Sequence, residues 1–258
     1  MPLSGLLDTQ TALADAVDVQ ALFCAADEFQ VESADVLTLT YEIDIEEGQK
    51  AVPKALHPSV PSYAQIVVRQ LRNGPWGACT MAELRINARA ATNYLGYCVG
   101  AIVDGDVCLR ALRERYGVRA VAGSVRLERR YYGVFASAVV DGHVCLDAEV
   151  TGLLPINGQH VLFTPNLHLA RIAGVPRLIH QEMQYTIRSA QRGTTKLKTL
   201  KTDSFGEGRV RIGRPLPPTL VTADVRFMAV SYLVDPDQPA LVGTVALKPA
   251  LTGARRRA

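Results

Sequence analysis

Between residues 36 and 151 the chain repeats one pattern, a short run in which apolar and polar side chains alternate, bounded by Gly, Pro, Asn or Asp. The runs fall at 36–43, 64–71, 80–88, 97–103, 121–128, 133–140 and 143–151. A period of two gives a strand one apolar face and one polar face, so each run must lay its apolar face against another strand's. Seven such runs in about 115 residues predict an antiparallel sheet or barrel. Asp141-Gly142, between two of them, carries the signature of a type I′ hairpin turn. The pattern resumes at 178–187, 208–212, 223–233 and 240–247.

Two segments break this rhythm with a helical one. Leu6, Leu7, Leu13, Val17, Leu22 and Phe23 recur among Asp8, Asp15 and Asp18, which predicts an N-terminal amphipathic helix over 6–25. Asp106 opens a second helix, whose last turn Arg113-Glu114-Arg115-Tyr116 precedes Gly117. An acid at the start, bases at the end and a glycine beyond are the expected boundaries. Residues 191–204 are polar and hold Lys196, Lys198 and Lys201; they read as a solvated loop, or as a lid over an anionic ligand. There is no repeat, low-complexity tract or linker. One domain is expected over 1–258, with an N-terminal helical segment (1–30), a β-barrel (31–250) and a basic tail (251–258).

Composition narrows the setting. With 48% apolar and 21% charged residues in a chain of 258, the protein has the makeup of a folded globular domain. The formal charge is +3, and Arg255, Arg256 and Arg257 account for that whole excess. The body is therefore neutral, and a pI of 8.6 is no argument for a nucleic-acid partner. Cys24, Cys79, Cys98, Cys108 and Cys145 form an odd set without a CxxC pair and read as reduced thiols of a cytoplasmic protein. The first ten residues have no basic stretch before an apolar one, and the longest apolar run, 94–103, is about half a membrane span. No membrane partner is expected.

The chemistry-bearing residues are sparse. His57, His143, His160, His168 and His180 have neither HxH nor HExxH spacing, so each reads as structural and no metal is expected. GxGxxG after a strand, GxxxxGK[ST] and GxSxG are all absent, which leaves nucleotide binding, phosphoryl transfer and serine hydrolysis without local support. No cofactor is implied. The six lysines are Lys50, Lys54, Lys196, Lys198, Lys201 and Lys248, so none lies between 55 and 195.

Three stretches resemble one known family. Leu37-Thr38-Leu39-Thr40-Tyr41-Glu42-Ile43-Asp44, with Val52-Pro53-Lys54-Ala55-Leu56 after it, resembles the strand, helical turn and VPxPL segment of the acetoacetate decarboxylase family. Val103-Asp104, the helix ending at Gly117 and Val118-Arg119-Ala120 are similar to its D…GRExxGxPK stretch. Pro165-Asn166-Leu167-His168-Leu169 with Val175-Pro176-Arg177-Leu178 is similar to its RPNxxLKxIPxxxGxPRxxEL stretch. Order and spacing agree over about residues 35–190. The resemblance implies a mainly β, α+β fold: an antiparallel β-barrel or cone of acetoacetate decarboxylase-like type, with an N-terminal helix and one inserted helix, around a small-molecule pocket. It also implies a homo-oligomer.

The family's chemistry is not carried over. Its Schiff-base lysine, made nucleophilic by desolvation and a neighbouring cation, falls on Ala120, and the adjacent lysine on Val121. Neither residue forms an imine. Its arginine before the first strand falls near Ala34 and its two glutamates near Ile66 and Met81, which implies an apolar cavity where the family has a charged site. Ala34, Ile66, Met81, Tyr97, Val118 and Ala120 are the candidate substrate-binding residues. Glu83 and Arg85 share the face of Met81, and Arg119 adjoins the lost lysine. These three are the catalytic candidates, Glu83 as general base and Arg119 or Arg85 as clamp for a carboxylate or enolate. The alternative is a Glu83–Arg85 pair at the barrel rim beside a solvated Arg119. Tyr94, Tyr97, Tyr131, Tyr132 and Trp76 are candidate ring walls or hydroxyl donors, or plain packing residues.

Three functions remain open. The first is an enzyme of specialised, polyketide-like metabolism that guides an apolar keto or enol substrate through non-covalent cyclisation or isomerisation. The second is a lysine-independent decarboxylase, hydratase or aldolase-type lyase acting on a β-keto acid. The third is a non-catalytic binding protein that has kept the barrel and lost the site.

Overall fold

The structure is a computed structural model that describes residues 3–90, 93–206, 210–238 and 246–247. The 251–258 tail and most of the 240–247 run lie outside the described residues.

Most of the described chain is strand. The first half holds β1 (Asp18–Val19), β2 (Phe29–Glu42), β3 (His57–Pro58), β4 (Tyr63–Leu71), β5 (Cys79–Ala90), β6 (Asn93–Asp104) and β7 (Ala120–Ala122). The second half holds β8 (Ser124–Arg130), β9 (Gly133–Val140), β10 (His143–Pro155), β11 (Asn166–Ile172), β12 (Val175–Leu200), β13 (Pro215–Val234) and β14 (Ala246–Leu247). Three α-helices, α1 (Thr9–Ala12), α2 (Ile45–Ala51) and α3 (Asp106–Ala111), are short. A π-helical turn, Leu112–Tyr116, extends α3 and ends at Gly117 with φ of 71°.

Seven strands close on themselves. Along the sheet the order is β11-β6-β5-β4-β2-β13-β12, and β12 pairs back to β11 to complete the ring. Closure removes the free edges that an open sheet would present. The inner face carries Val31, Ala34, Met81, Cys98, Ala101, Ala170, Ile179, Val225 and Phe227, all buried in one cluster. Phe23, Leu112, Tyr116 and Trp76 belong to the same cluster and cap one end of the barrel. Phe23 stacks on Tyr116 at 4.4 Å, and Trp76 meets Phe227 edge-on at 5.0 Å.

The outer face of β2, β4, β5 and β6 is equally apolar, because a second layer covers it. Leu37, Leu39, Ile66, Leu84 and Ile102 pack with Val125, Leu127, Val134, Ala136, Ala148 and Val150 of the β8–β9–β10 meander. The 26-residue β12 belongs to both layers: Leu178 to Arg192 pair with β13, and Gln191 to Leu200 pair with β10. Both faces of β5 are covered, so Glu83, Arg85 and Asn87, which alternate with its apolar residues, are buried along with them.

Several expectations are corrected in extent. The helix expected over 6–25 is confined to Thr9–Ala12; beyond it the backbone at Asp18–Val19 pairs in parallel with β11, and the Asp18 carboxylate accepts from the Gly174 amide. Those tertiary bonds outweigh a weak helical rhythm. The 121–128 run is two strands broken at Gly123, and 210–212 is not strand. Lys196 and Lys198 sit on β12, paired with Glu149 and the 147/148 step of β10, so the basic segment is a sheet strand and not a lid. Asp141 and Gly142 take positive φ of 49° and 76°, as their turn requires.

Gly100 marks a close approach that positions the candidate site. A Cβ there would lie 1.6 Å from the carbonyl oxygen of Phe205 and 3.0 Å from that of Arg119. Backbone atoms cannot swing aside, so Gly100→Ala must push the 202–205 turn off β6. Overpacking of this kind costs about 1–3 kcal/mol, and urea unfolding of Gly100→Ala should show a loss at the upper end of that range. An unchanged midpoint would show that the turn does not need this contact.

Candidate functional site in the barrel interior

The inner face of the barrel is not wholly apolar. In β4 and β5 the register sets Val67 opposite Glu83 and Arg69 opposite Met81, so Arg69 and Glu83 lie diagonally on the inner face. Arg85 follows Glu83 by two residues on the same face. All three are buried, with side-chain exposures of 0% for Arg69, 5% for Glu83 and 4% for Arg85. Glu83 Oε1 lies 2.8 Å from Arg69 Nη1, and Oε2 takes Arg85 Nε at 2.8 Å and Nη2 at 2.6 Å. Arg69 Nε donates to the Tyr185 hydroxyl at 3.2 Å, and that hydroxyl donates to Met183 Sδ at 3.5 Å. Arg69 Nη2 is buried and has no partner.

Electrostatics follow from this geometry. Burial alone would raise the Glu83 carboxyl, but Arg69 and Arg85 overcome it and hold it at about 2, below its ordinary 4.5. Burial pushes the Cys98 thiol, which faces the cluster from β6, up to about 12. His168 on β11 is paired in register with Cys98, which is itself paired with Arg85. Its Nε2 lies 2.6 Å from the Tyr116 carbonyl oxygen and its Nδ1 has no partner. Burial lowers its pKa to about 4, which leaves the ring neutral at pH 7.

Around this cluster the predicted residues divide between the two faces. Ala34, Met81, Val118 and Ala120 belong to the inner cluster, and Ala120 sits beside Ala101, the residue opposite Glu83. Ile66 and Tyr97 belong to the outer cluster and point away from it. The expected apolar cavity is therefore corrected: Ile66, expected to replace one of the family's glutamates, faces outward, while Arg69 of the same strand brings charge inside with Glu83 and Arg85. Those two do pair with each other, but in the interior and not at a rim. Arg119 lines a cleft of about 500 Å³ outside the barrel wall with Arg113, Val118, Ala120, Phe205 and Gly206. Ala120, common to the cleft and the inner cluster, is where the two meet. At the opposite end, Phe163 of the β10–β11 loop stacks on Tyr185 at 3.7 Å, and Tyr185 lines a second cavity of about 470 Å³ with Ile156, Gly158 and Arg188. Trp76 is capping core, Tyr94 accepts from Asn87, and Tyr131 and Tyr132 stand exposed at a hairpin tip.

Sequence reasoning missed Arg69 and Tyr185 and read His168 as structural. Arg69 ends an apolar run, Ile66-Val67-Val68, where an arginine reads as a strand terminus. The available signal was its parity with Leu71, a core residue two positions on.

No family model and no curated protein matches this sequence. Solved structures do match the fold. Acetoacetate decarboxylase from Legionella pneumophila superposes with a TM-score of 0.72 at 13% identity, covering 86% of this chain and 93% of that one. The enduracididine biosynthesis enzyme MppR, in complex with pyruvate, gives 0.62 at 14% identity over 78% and 87% of the two chains. An acetoacetate decarboxylase-like enzyme from Sphingomonas wittichii gives 0.60 at 13%, over 85% and 92%. The chain has the acetoacetate decarboxylase-like fold.

Proposed function

We propose that this protein is an enzyme that binds a small keto or enol carboxylate inside the seven-stranded barrel and acts on it without a covalent link, with Arg69 and Arg85 stabilising enolate or carboxylate charge. The observation that carries this reading is the Arg69 guanidinium, fully buried yet with Nη2 unpartnered. Two guanidiniums share one carboxylate, which leaves an excess positive charge in a dry interior. Such a charge is costly unless an anion completes it, and a carboxylate or enolate does so with the right geometry. Preorganised donors of this kind lower the barrier to enolate formation by about 3–4 kcal/mol each.

Two structures of the same fold support the ligand class: one holds pyruvate, and another is named for acetoacetate. Both are keto acids. With Ala120 in the lysine position, decarboxylation of a β-keto acid, or isomerisation through its enolate, runs on electrostatic stabilisation alone. Glu83 at about 2 is a weak base at neutral pH, so its part is to hold the two guanidiniums. Cyclisation of a longer, polyketide-like chain is the second reading, favoured by the biosynthetic role in the name of MppR. A charged interior is less suited to it than the apolar cavity the sequence implied.

Three outcomes test this. Incubation with acetoacetate or pyruvate and borohydride should leave the intact mass unchanged; an adduct would mean that a lysine elsewhere forms an imine. Arg69→Met keeps the Glu83–Arg85 pair and should weaken pyruvate or acetoacetate binding, measured by calorimetry, at least about tenfold, equivalent to about 1.4 kcal/mol. Equal affinity would sink the anion site, and tight binding of every keto acid with no turnover would leave only a binding protein. Glu83→Gln should cost about 3–5 kcal/mol at pH 7, because it leaves two guanidiniums facing each other. The Glu83 carboxyl is depressed in the fold, so its contribution is complete above 4.5 and lost as pH falls towards 2. The gap between wild type and variant in urea unfolding should therefore narrow across that window, and a constant gap would show that the pairing is not what stabilises.

A further inference from the structure

We infer that His168 is the proton-accepting residue of the barrel interior, with Nδ1 receiving a proton from the carbon next to the ligand's carbonyl. The inference rests on the keto-acid reading above and adds the group that reading lacks, since Glu83 is tied up by two arginines.

The geometry assigns the tautomer. Nε2 lies 2.6 Å from the Tyr116 carbonyl oxygen, which has no proton to give, so Nε2 carries the hydrogen and donates it. Nδ1 then holds a bare lone pair, and it is buried without a partner in a residue only 1% exposed. A buried acceptor left empty is costly and calls for a donor from outside the chain. The π-helical turn that supplies the Tyr116 carbonyl caps the barrel, so the ring is oriented by the same segment that closes the interior. Asn166, two residues earlier on the same face of β11, also has its side-chain oxygen buried and unpartnered.

The interior is therefore divided by chemistry. Arg69 and Arg85, from β4 and β5, offer donors; His168 and Asn166, from β11, offer acceptors. A keto acid fits that division, with its carboxylate and carbonyl oxygens towards the arginines and its acidic C–H towards β11. In the step, the C–H bond breaks and its proton goes to Nδ1. The C–H electron pair forms the enolate C=C, and the carbonyl π pair moves to oxygen, where a guanidinium receives it. Return of the proton to carbon closes the cycle with no oxidant or co-reactant. The charged and titratable groups near the ring are Glu83 and Arg85 from β5 and Cys98 from β6, and His180, on the other face of β12, acts on it through its charge. A bound carboxylate adds negative charge beside them and favours the protonated ring, which makes Nδ1 a stronger base when the ligand is present than when it is absent.

The test uses the full chain and pyruvate in D2O, following loss of the methyl proton signal by NMR. Wild type should exchange the methyl protons, and exchange should fall on the acid side as the ring becomes protonated. His168→Gln should bind pyruvate within a factor of about three of wild type and exchange at least about 100-fold more slowly, the lower end of general-base effects. Long-range 1H–15N spectra of wild type, with the His168 signals assigned by their loss in the variant, should show a neutral ring protonated on Nε2 at pH 7. A ring protonated on Nδ1 or on both nitrogens overturns the inference whatever the variant does. Binding without exchange, or exchange that His168→Gln leaves intact, overturns it while sparing the anion site. Failure of wild type to bind pyruvate or acetoacetate overturns the keto-acid reading itself.

Discussion

Two guanidiniums share the inside of a closed barrel because one carboxylate lies between them. Glu83 reaches Arg69 with one oxygen and Arg85 with the other, and the attraction outweighs the burial that would otherwise protonate it. Replacing such a cluster by apolar residues is often neutral or stabilising in proteins generally. A barrel that already encloses Met81, Ile179, Val225 and Phe227 has no shortage of apolar packing. The cluster is therefore poorly explained as a stability device and better explained by a ligand.

The surrounding architecture serves that cluster in concrete ways. Ring closure through β11 and β12 excludes water, which strengthens each ion contact and raises the cost of each unpaired atom. The meander of β8, β9 and β10 covers the outer face of β4 and β5, so the strands bearing Arg69, Glu83 and Arg85 are held from both sides. Tyr185 ties Arg69 to β12 and stacks on Phe163 of the loop across the barrel end. The cluster is thus anchored on rigid strands and meets the β10–β11 loop at two points, the Phe163 ring on Tyr185 and the Thr164 carbonyl, which accepts from Arg85 Nη1 at 3.5 Å.

Much of the fold was legible because alternation is a direct physical demand of half-buried strands. The runs at 64–71, 80–88, 133–140 and 143–151 match β4, β5, β9 and β10 closely, and the Asp106 to Gly117 boundaries match the helical segment. What was illegible is what depends on partners far away in sequence. β1 exists only through its pairing with β11, and the lysines at 196 and 198 belong to a strand because β10 runs beside them. The site was half legible for the same reason. Glu83 and Arg85 stood out as charges within an apolar strand, but Arg69 is made a site residue by the β4–β5 register, and His168 by the turn that brings the Tyr116 carbonyl to its Nε2.

Ala120, where the sequence resemblance places the family's lysine, can be judged by what surrounds it. Ala120 lies beside Ala101, which is paired with Glu83, so an amine there would enter an interior that already carries two guanidiniums against one carboxylate. Like charges at that range disfavour ammonium and desolvation disfavours it further, so a lysine would be driven neutral, as imine chemistry wants. The arginine pair also does what an iminium does, since both provide fixed positive charge where a carbanion develops. On the function proposed above, a barrel that meets enolate charge with Arg69 and Arg85 has no electrostatic need for an imine.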